Sequence, residues 1–292
     1  MSKWAERRVL AYAHQGGARE GPSSTLYAIE KALRAGADAI ELDVHQSLDG
    51  HLVVGHDATV DRTTDGSGPI AALRLLELQA LDNACYFVPG VGTDHDRRPE
   101  EYPLRGRAPA DRSLGIATLD EVLVSFPGVL LNLDIKSTAP AVPAYEAKLA
   151  RVLRAHRRSC DVVVASFDDR SIEAFSSAAP EIGTAPGSGE LLLLAQAVLC
   201  GEPPSERLKR HVAVQVPQSF RGVRVVDERF VEVVHGLGLA LHVWTIDEED
   251  EMASLAALGV DGIMTDRPSA LVGVLERLGL RYRRSDPIAG ST

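Results

Sequence analysis

The stretch AIELDVHQSLDGHLVVGHD, residues 39–57, reads as two strands joined by a tight turn, yet it sets four carboxylates and three imidazoles among apolar positions. Successive side chains of a strand point to opposite faces, so Glu41, Asp43, His45 and Ser47 share one face. A plain solvated face would account for them. Charge filling one face beside AI and LVV points instead to something there that needs it. Working outward, similar β-rich runs recur at RVLAYAH (8–14), AIELDV (39–44), VLLNLDIK (129–136), DVVVASF (161–167), EIGTAP (181–186), VAVQVP (212–217), LALHVWTI (239–246) and DGIMTD (261–266). Between most of them lie amphipathic segments at 24–36, 118–126, 144–156, 227–238 and 248–259, several ending in Gly as helices do. Eight alternating units predict a parallel sheet closed into a (β/α)8 TIM barrel, with a doubly wound open sheet as the competing arrangement. No strand is followed by G-x-G-x-x-G or G-x-x-x-x-G-K-[ST], which removes the usual nucleotide-binding support for the open sheet. Residues 57–115, rich in Pro, Gly, Asp and Arg, read as an insertion after the second strand.

The 292 residues, 45% apolar and 25% charged, suit one soluble barrel domain over residues 1–292. A net charge of −10 argues against a nucleic-acid partner. The opening MSKWAERRVLAYAHQGG has no apolar run of signal-peptide length, so a cytoplasmic protein is expected. LLLLAQAVLC (191–200) is far short of the roughly 20 residues that span a bilayer, so no transmembrane segment is expected. Cys85, Cys160 and Cys200, scattered and odd in number, suggest buried or inert thiols.

In a barrel of this kind the active groups project from the C-terminal ends of the strands. His14 closes the first strand, Glu41 and Asp43 lie near the end of the second, Asp134 and Lys136 end the third, Trp244 the seventh and Asp266 the eighth. Three converging carboxylates repel one another unless a cation sits between them. Oxygen donors favour a hard divalent ion, Mg²⁺ or Ca²⁺, at Glu41, Asp43 and Asp134. A plain ion pair of Asp134 with Lys136 is the simpler alternative.

Taken in order, these motifs resemble the glycerophosphodiester phosphodiesterase family across nearly the whole chain. His14-Gln15-Gly16 is similar to its His-Arg-Gly, Glu41-Leu42-Asp43 to its Glu-x-Asp, and His56-Asp57 to its His-Asp after an Asp-Gly turn. IATLDEVL, NLDIK, HVWTID and GVDGIMTD match its later segments. The resemblance implies a metal-dependent phosphodiesterase that releases sn-glycerol 3-phosphate and an alcohol, with His14 and His56 as the acid–base pair. It further implies Gln15, Lys136 and Trp244 at the substrate. Attack by the glycerol 2-hydroxyl through a cyclic phosphate, or by water directly, both remain open. His45 and His51 are expected to be solvated or structural, and His242 to pack in the barrel.

Three departures bear on the chemistry. Gln15 stands where the family has Arg, Ser23 and Ser24 where it has Glu and Asn, and Asp134 where it has Glu. Losing a cation and an anion together reads as one charged contact exchanged for neutral hydrogen bonds. In the insertion, CYFVPG (85–90) is apolar and the segment 94–112 holds five arginines. An apolar patch there, with LLLLAQAVLC, could hold an acyl chain, so a lysophospholipid cleaved in lysophospholipase D fashion is the second substrate reading, with transient membrane contact. A catalytically weakened barrel that only binds phosphodiesters is the alternative of another class.

Overall fold

The barrel strands are buried on both faces, and alternate residues pack into an inner and an outer set, in a computed structural model that describes residues 9–137 and 142–281. Residues 1–8, which include the start of the segment read as lacking a signal peptide and of the first expected strand, lie outside the described residues. Eight strands run parallel: β1 (Leu10–His14), β2 (Ala39–Gln46), β3 (Leu130–Ile135), β4 (Val162–Ala165), β5 (Gly183–Thr184), β6 (Ala213–Pro217), β7 (Ala240–Trp244) and β8 (Gly262–Thr265). A helix follows each: α1 (Leu26–Ala35), α2 (Leu119–Ser125), α3 (Glu146–Ala155), α4 (Asp169–Ala178), α5 (Ser188–Cys200), α6 (Glu228–Gly236), α7 (Glu249–Leu258) and α8 (Pro268–Leu278). The sheet order is β5-β4-β3-β2-β1-β8-β7-β6, and the ring is drawn together between β5 and β6 by the Val212 N–H donating to the Thr184 carbonyl (2.9 Å). The expected (β/α)8 barrel is the observed architecture.

Outward-facing Ile40, Leu42, Val44, Leu131 and Leu133 pack beneath the N-terminal helices, while Val214, Val216, Leu241, Val243 and Ile263 pack beneath the C-terminal ones. Inward-facing Leu10, Tyr12, Ala39, Leu130, Val163, Ala213, Ala240 and Met264 fill the bore. Gly262 is required there, because a Cβ would lie 2.8 Å from His242 Cδ2 and 2.9 Å from Tyr12 Cε2. His242 is fully buried against Tyr12, as its packing role anticipated.

Local capping explains where the helices begin and end. The Thr25 hydroxyl accepts from the Ala28 N–H, Thr118 and Glu121 form a reciprocal capping box, and Asp168 and Asp227 cap α4 and α6. Gly36, at φ 101°, closes α1 in a left-handed turn.

The opening hairpin is real but short: β2 pairs antiparallel with Leu52–Val54 around the turn at Asp49-Gly50. Its supposedly wet face is buried: Glu41 and Asp43 line the barrel mouth, while His45 is covered against the His56 carbonyl and Ser47 within the hairpin turn. The insertion carries its own small core of Ala84, Phe87, Leu104, Ala108 and Leu114. That corrects the expected acyl-chain patch, because Phe87 and Val88 of CYFVPG are buried under the insertion's own loops. Its arginines pair locally, Arg97 with Asp94 and Arg98 with Glu101, while Arg105 stacks 3.7 Å above the Tyr102 ring. Cys85 is buried as expected, whereas Cys160 and Cys200 are exposed. Among the described residues no helix is long and apolar enough to cross a membrane.

Candidate active site

Strand register alone brings the first pieces together. In the parallel ladders His14 stands opposite Glu41, and Asp43, two positions further on, opposite Asp134, so four inward side chains meet on successive levels of the mouth. They line a cavity of about 210 Å³ with His56, Lys136, Asn132, Gln215, Phe167 and Trp244. Every residue expected to act, apart from Gln15, lies on that wall. Gln15 borders it from the next position, its N–H donating to Glu41 Oε2 (3.0 Å) and its side-chain nitrogen 3.4 Å from His14 Nε2.

His14 is gripped from behind. Its Nδ1 lies 2.7 Å from Asp266 Oδ1, and its Nε2 3.8 Å from Glu41 Oε2. Burial alone would lower its pKa, but Glu41 and Asp266 outweigh burial and raise it above the ordinary imidazole value. Glu41 is pushed upward in turn, first by burial and then by the charge of Asp43. His56 arrives from the loop after the hairpin and is half-exposed, its Nδ1 2.6 Å from Asp57 Oδ1. Arg62 Nε donates to the other Asp57 oxygen (2.5 Å). Together, the hydrogen bond from His56 and the guanidinium hold the Asp57 carboxyl well below the usual range. Each histidine therefore has a carboxylate behind one ring nitrogen, an arrangement that orients the ring and fixes which nitrogen faces the cavity.

Asp43 and Asp134 share Lys136, whose Nζ lies 2.8 and 2.7 Å from them. The simpler reading of Asp134, an ion pair with Lys136, is thus realised. Each carboxylate nevertheless keeps one buried oxygen with no hydrogen-bond partner, Asp43 Oδ2 and Asp134 Oδ1. Burial pushes Asp134 upward, against the pull of Lys136. Among the described residues no group of three or more His, Cys, Asp or Glu has metal-holding geometry. The donor set still fits a hard cation, since two orphaned carboxylate oxygens and Glu41 lie on one wall where negative charge is under-compensated.

Of the two serines in place of Glu and Asn, Ser23 acts on Gln15 through its side chain and Ser24 through its backbone. Ser23 Oγ donates to Gln15 Oε1 (2.6 Å), and the Ser24 N–H donates to the Gln15 carbonyl (2.8 Å). Gln15 itself adopts φ 51°, a left-handed conformation held by these bonds. Opposite the carboxylates, Phe167 meets Trp244 edge-on (5.9 Å), and Lys136 Nζ lies 5.5 Å from the Phe167 ring centre. His45 Nε2 lies 3.3 Å from the His56 carbonyl, a structural contact, and His51 is exposed.

Sequence reasoning named Asp266 and Asp57 without giving either a role, and passed over Arg62 and the wall residues Asn132 and Gln215. Asp266 was visible as a strand end and Asp57 as the neighbour of His56. Arg62 gave no signal, because its role depends on how the insertion folds back.

Residues 14–270 match the model of the Glycerophosphoryl diester phosphodiesterase family. The chain belongs to this family. A glycerophosphodiester phosphodiesterase of Caldanaerobacter subterraneus subsp. tengcongensis is 32% identical over 274 residues, covering 93% of this chain and 100% of that one. Another from Bacillus subtilis is 29% identical over 89% of this chain and 84% of its own length. The crystal structure of the Agrobacterium tumefaciens glycerophosphodiester phosphodiesterase superposes with a TM-score of 0.68 at 25% identity, over 91% of this chain and 99% of that one. An Oleispira antarctica phosphodiesterase, solved in complex with the product sn-glycerol-3-phosphate, shares the fold with a TM-score of 0.68 at 23% identity, over 92% of this chain and 97% of that one. As a member of the glycerophosphoryl diester phosphodiesterase family, the chain is a phosphoric diester hydrolase.

Proposed function

We propose that this barrel hydrolyses glycerophosphodiesters to sn-glycerol 3-phosphate and an alcohol at the mouth between His14 and His56. The observation that carries the reading is the meeting of both histidines, three carboxylates and Lys136 on one cavity wall. The Oleispira relative with sn-glycerol-3-phosphate bound supports the same product. His14 and His56 exchange protons with the attacking and leaving oxygens, each steadied by its own aspartate. Lys136 stands beside the phosphate as a compact positive charge, the Gln15 amide reaches the same face, and Trp244 closes the opposite wall against water. Glu41, Asp43 and Asp134 would hold a divalent cation, Mg²⁺ or Ca²⁺, which supplies charge neutralisation at the non-bridging oxygens. Release of sn-glycerol 3-phosphate from a panel of glycerophosphodiesters, with either ion and with EDTA, tests the reading. Full activity in EDTA removes the cation, and no turnover with any ion removes the reaction.

Lysophospholipid cleavage keeps part of its basis. Phe87 and Val88 of CYFVPG are buried, but Leu191 and the largely exposed Phe167 line the cavity, and Leu192 and Leu193 of α5 are exposed. Including lysophosphatidylcholine in the panel decides it, since no choline released from the lipid ends that alternative.

A further inference from the structure

A phosphodiester has two ester arms, and His56 stands between two cavities. On one side lies the carboxylate cavity. On the other is a polar groove of about 370 Å³ lined by Gln15, Arg19, Asp57, Arg62, Thr93 and Asp266 around the same imidazole. The insertion creates this groove by docking on the loop after β1. The Gly90 N–H donates to the Arg19 carbonyl (2.8 Å), and His95 Nε2 lies 2.8 Å from the Arg62 carbonyl. Gly92, at φ +105°, passes so near that a Cβ would lie 3.3 Å from the Ala18 carbonyl oxygen. Both guanidiniums are anchored, Arg19 to Asp247 (3.4 Å) and Arg62 to Asp57 (2.5 Å). Each carries five donors, more than its ion pair consumes.

We propose that this groove receives the alcohol arm of the diester and selects a polyol, of the glycerol or inositol kind, over a quaternary-ammonium alcohol. The assignment rests on the phosphodiesterase reading above. The wall offers donors at Arg19, Arg62 and Gln15, acceptors at Asp57 and Asp266, and a group of both kinds at Thr93. A hydroxyl gives and takes a hydrogen bond, so a ring or chain of hydroxyls can satisfy both sets. A trimethylammonium group can satisfy neither, and it is bound best by aromatic faces. Among the described residues lining the groove there is no aromatic ring other than the His56 imidazole, and its two carboxylates are already paired, Asp57 with Arg62 and Asp266 with His14. The volume lies within the range of small-molecule sites.

The test compares glycerophosphoinositol, glycerophosphocholine and the methyl ester of glycerol 3-phosphate as substrates of the wild type, Thr93→Trp and Arg19→Ala. In the wild type, kcat/KM for the inositol ester exceeds that for the choline ester by about tenfold or more. Thr93→Trp fills the groove and erases that preference, and the methyl ester, too short to enter, is turned over unchanged. Arg19→Ala narrows the preference and serves if the tryptophan variant does not fold. Equal kcat/KM for the two headgroups, or variants that keep the wild-type preference, overturns the groove assignment. Calorimetric binding of glycerophosphoinositol separates this from the reaction itself. If no diester is hydrolysed, the phosphodiesterase reading falls, and binding that weakens in Thr93→Trp still supports the groove while unchanged binding overturns it.

Discussion

His14 Nδ1 and Asp266 Oδ1 lie 2.7 Å apart although 252 positions separate them in the chain, so the last strand of the barrel aims the imidazole of the first. Asp266→Asn removes the charge and loosens the ring's orientation. kcat is expected to fall about 10²- to 10⁴-fold with KM little changed, measured by steady-state turnover of a glycerophosphodiester.

Glu41 and Asp266 together set a pH window for stability through His14. Histidine's folded value is raised from 6.5 to about 9, so its contribution is fully present below pH 6.5 and is lost as the pH rises through about 9. Thermal melts should show Asp266→Asn destabilised by roughly 1–3 kcal/mol near pH 6 and much less near pH 10. A pH-independent difference would show that the ion pair is not its source.

Lys136 holds two buried carboxylates at once, Asp43 and Asp134. Lys136→Met leaves both without a counter-ion and is expected to cost about 3–5 kcal/mol. Mg²⁺ or Ca²⁺ should raise the Tm of this variant more than that of the wild type. If neither ion moves either melting curve, the carboxylates do not form a cation site.

Ser23→Ala leaves Gln15 Oε1 buried without its donor, at about 1–2 kcal/mol. Gln15→Arg and Ser23→Glu should each destabilise singly and recover together, because a buried guanidinium needs its carboxylate. A double-mutant cycle read by urea unfolding gives the coupling, and strict additivity would sink the exchange of a charged contact for a neutral one.

Asp38, whose Oδ2 accepts the Ala11 N–H (3.0 Å), also loses stability as the pH rises, but as a buried acid that carries a penalty and not as a base that loses a partner. Burial raises its folded value from 3.8 to about 6, against that hydrogen bond and the charge of Arg281. An acid shifted upward costs stability as the pH rises from 3.8 through about 6, and the penalty persists above that. Asp38→Asn, which keeps an acceptor for Ala11, should therefore stabilise by roughly 1 kcal/mol at pH 8 and have no effect at pH 3, compared by thermal melts.

The barrel was legible because its strands repeat one simple pattern, and the charged strand ends carried most of the site. Helices α4, α5 and α8 were missed for different reasons. α5 is apolar on nearly every side, so LLLLAQAVLC gave no amphipathic stripe and read as a patch. α4 sets serines among its apolar positions and is started by the Asp168 cap, and α8 opens on a proline that reads as a breaker. Strand β5 shrank to Gly183–Thr184, too brief to show alternation. The insertion hid most, since the packing of Phe87 on Leu104 and Leu114 joins residues far apart with no local period. For the same reason Arg62, which completes the His56–Asp57 pair, could not be found from spacing.

The join between β5 and β6 has consequences for how the enzyme breathes. Elsewhere the ring is a continuous ladder, whereas here it depends on the Val212–Thr184 bond and on His211, whose Nδ1 lies 2.9 Å from Thr184 Oγ1 and whose Nε2 lies 2.9 Å from Glu190 Oε2. The outer apolar packing divides at the same place, one cluster ending at Ile182 and the other resuming at Leu194, while the inner cluster spans the join through Ala185 and Ala213. Amide exchange should therefore start at Val212, ahead of the strands on either side. Ala185, Pro186 and Ser188, just beyond β5, form part of the cavity wall. An opening there would widen the mouth on the Phe167 and Leu191 side while β1, β2 and β3 keep the reacting groups in register, so the enzyme could admit a bulkier ester without disturbing its chemistry.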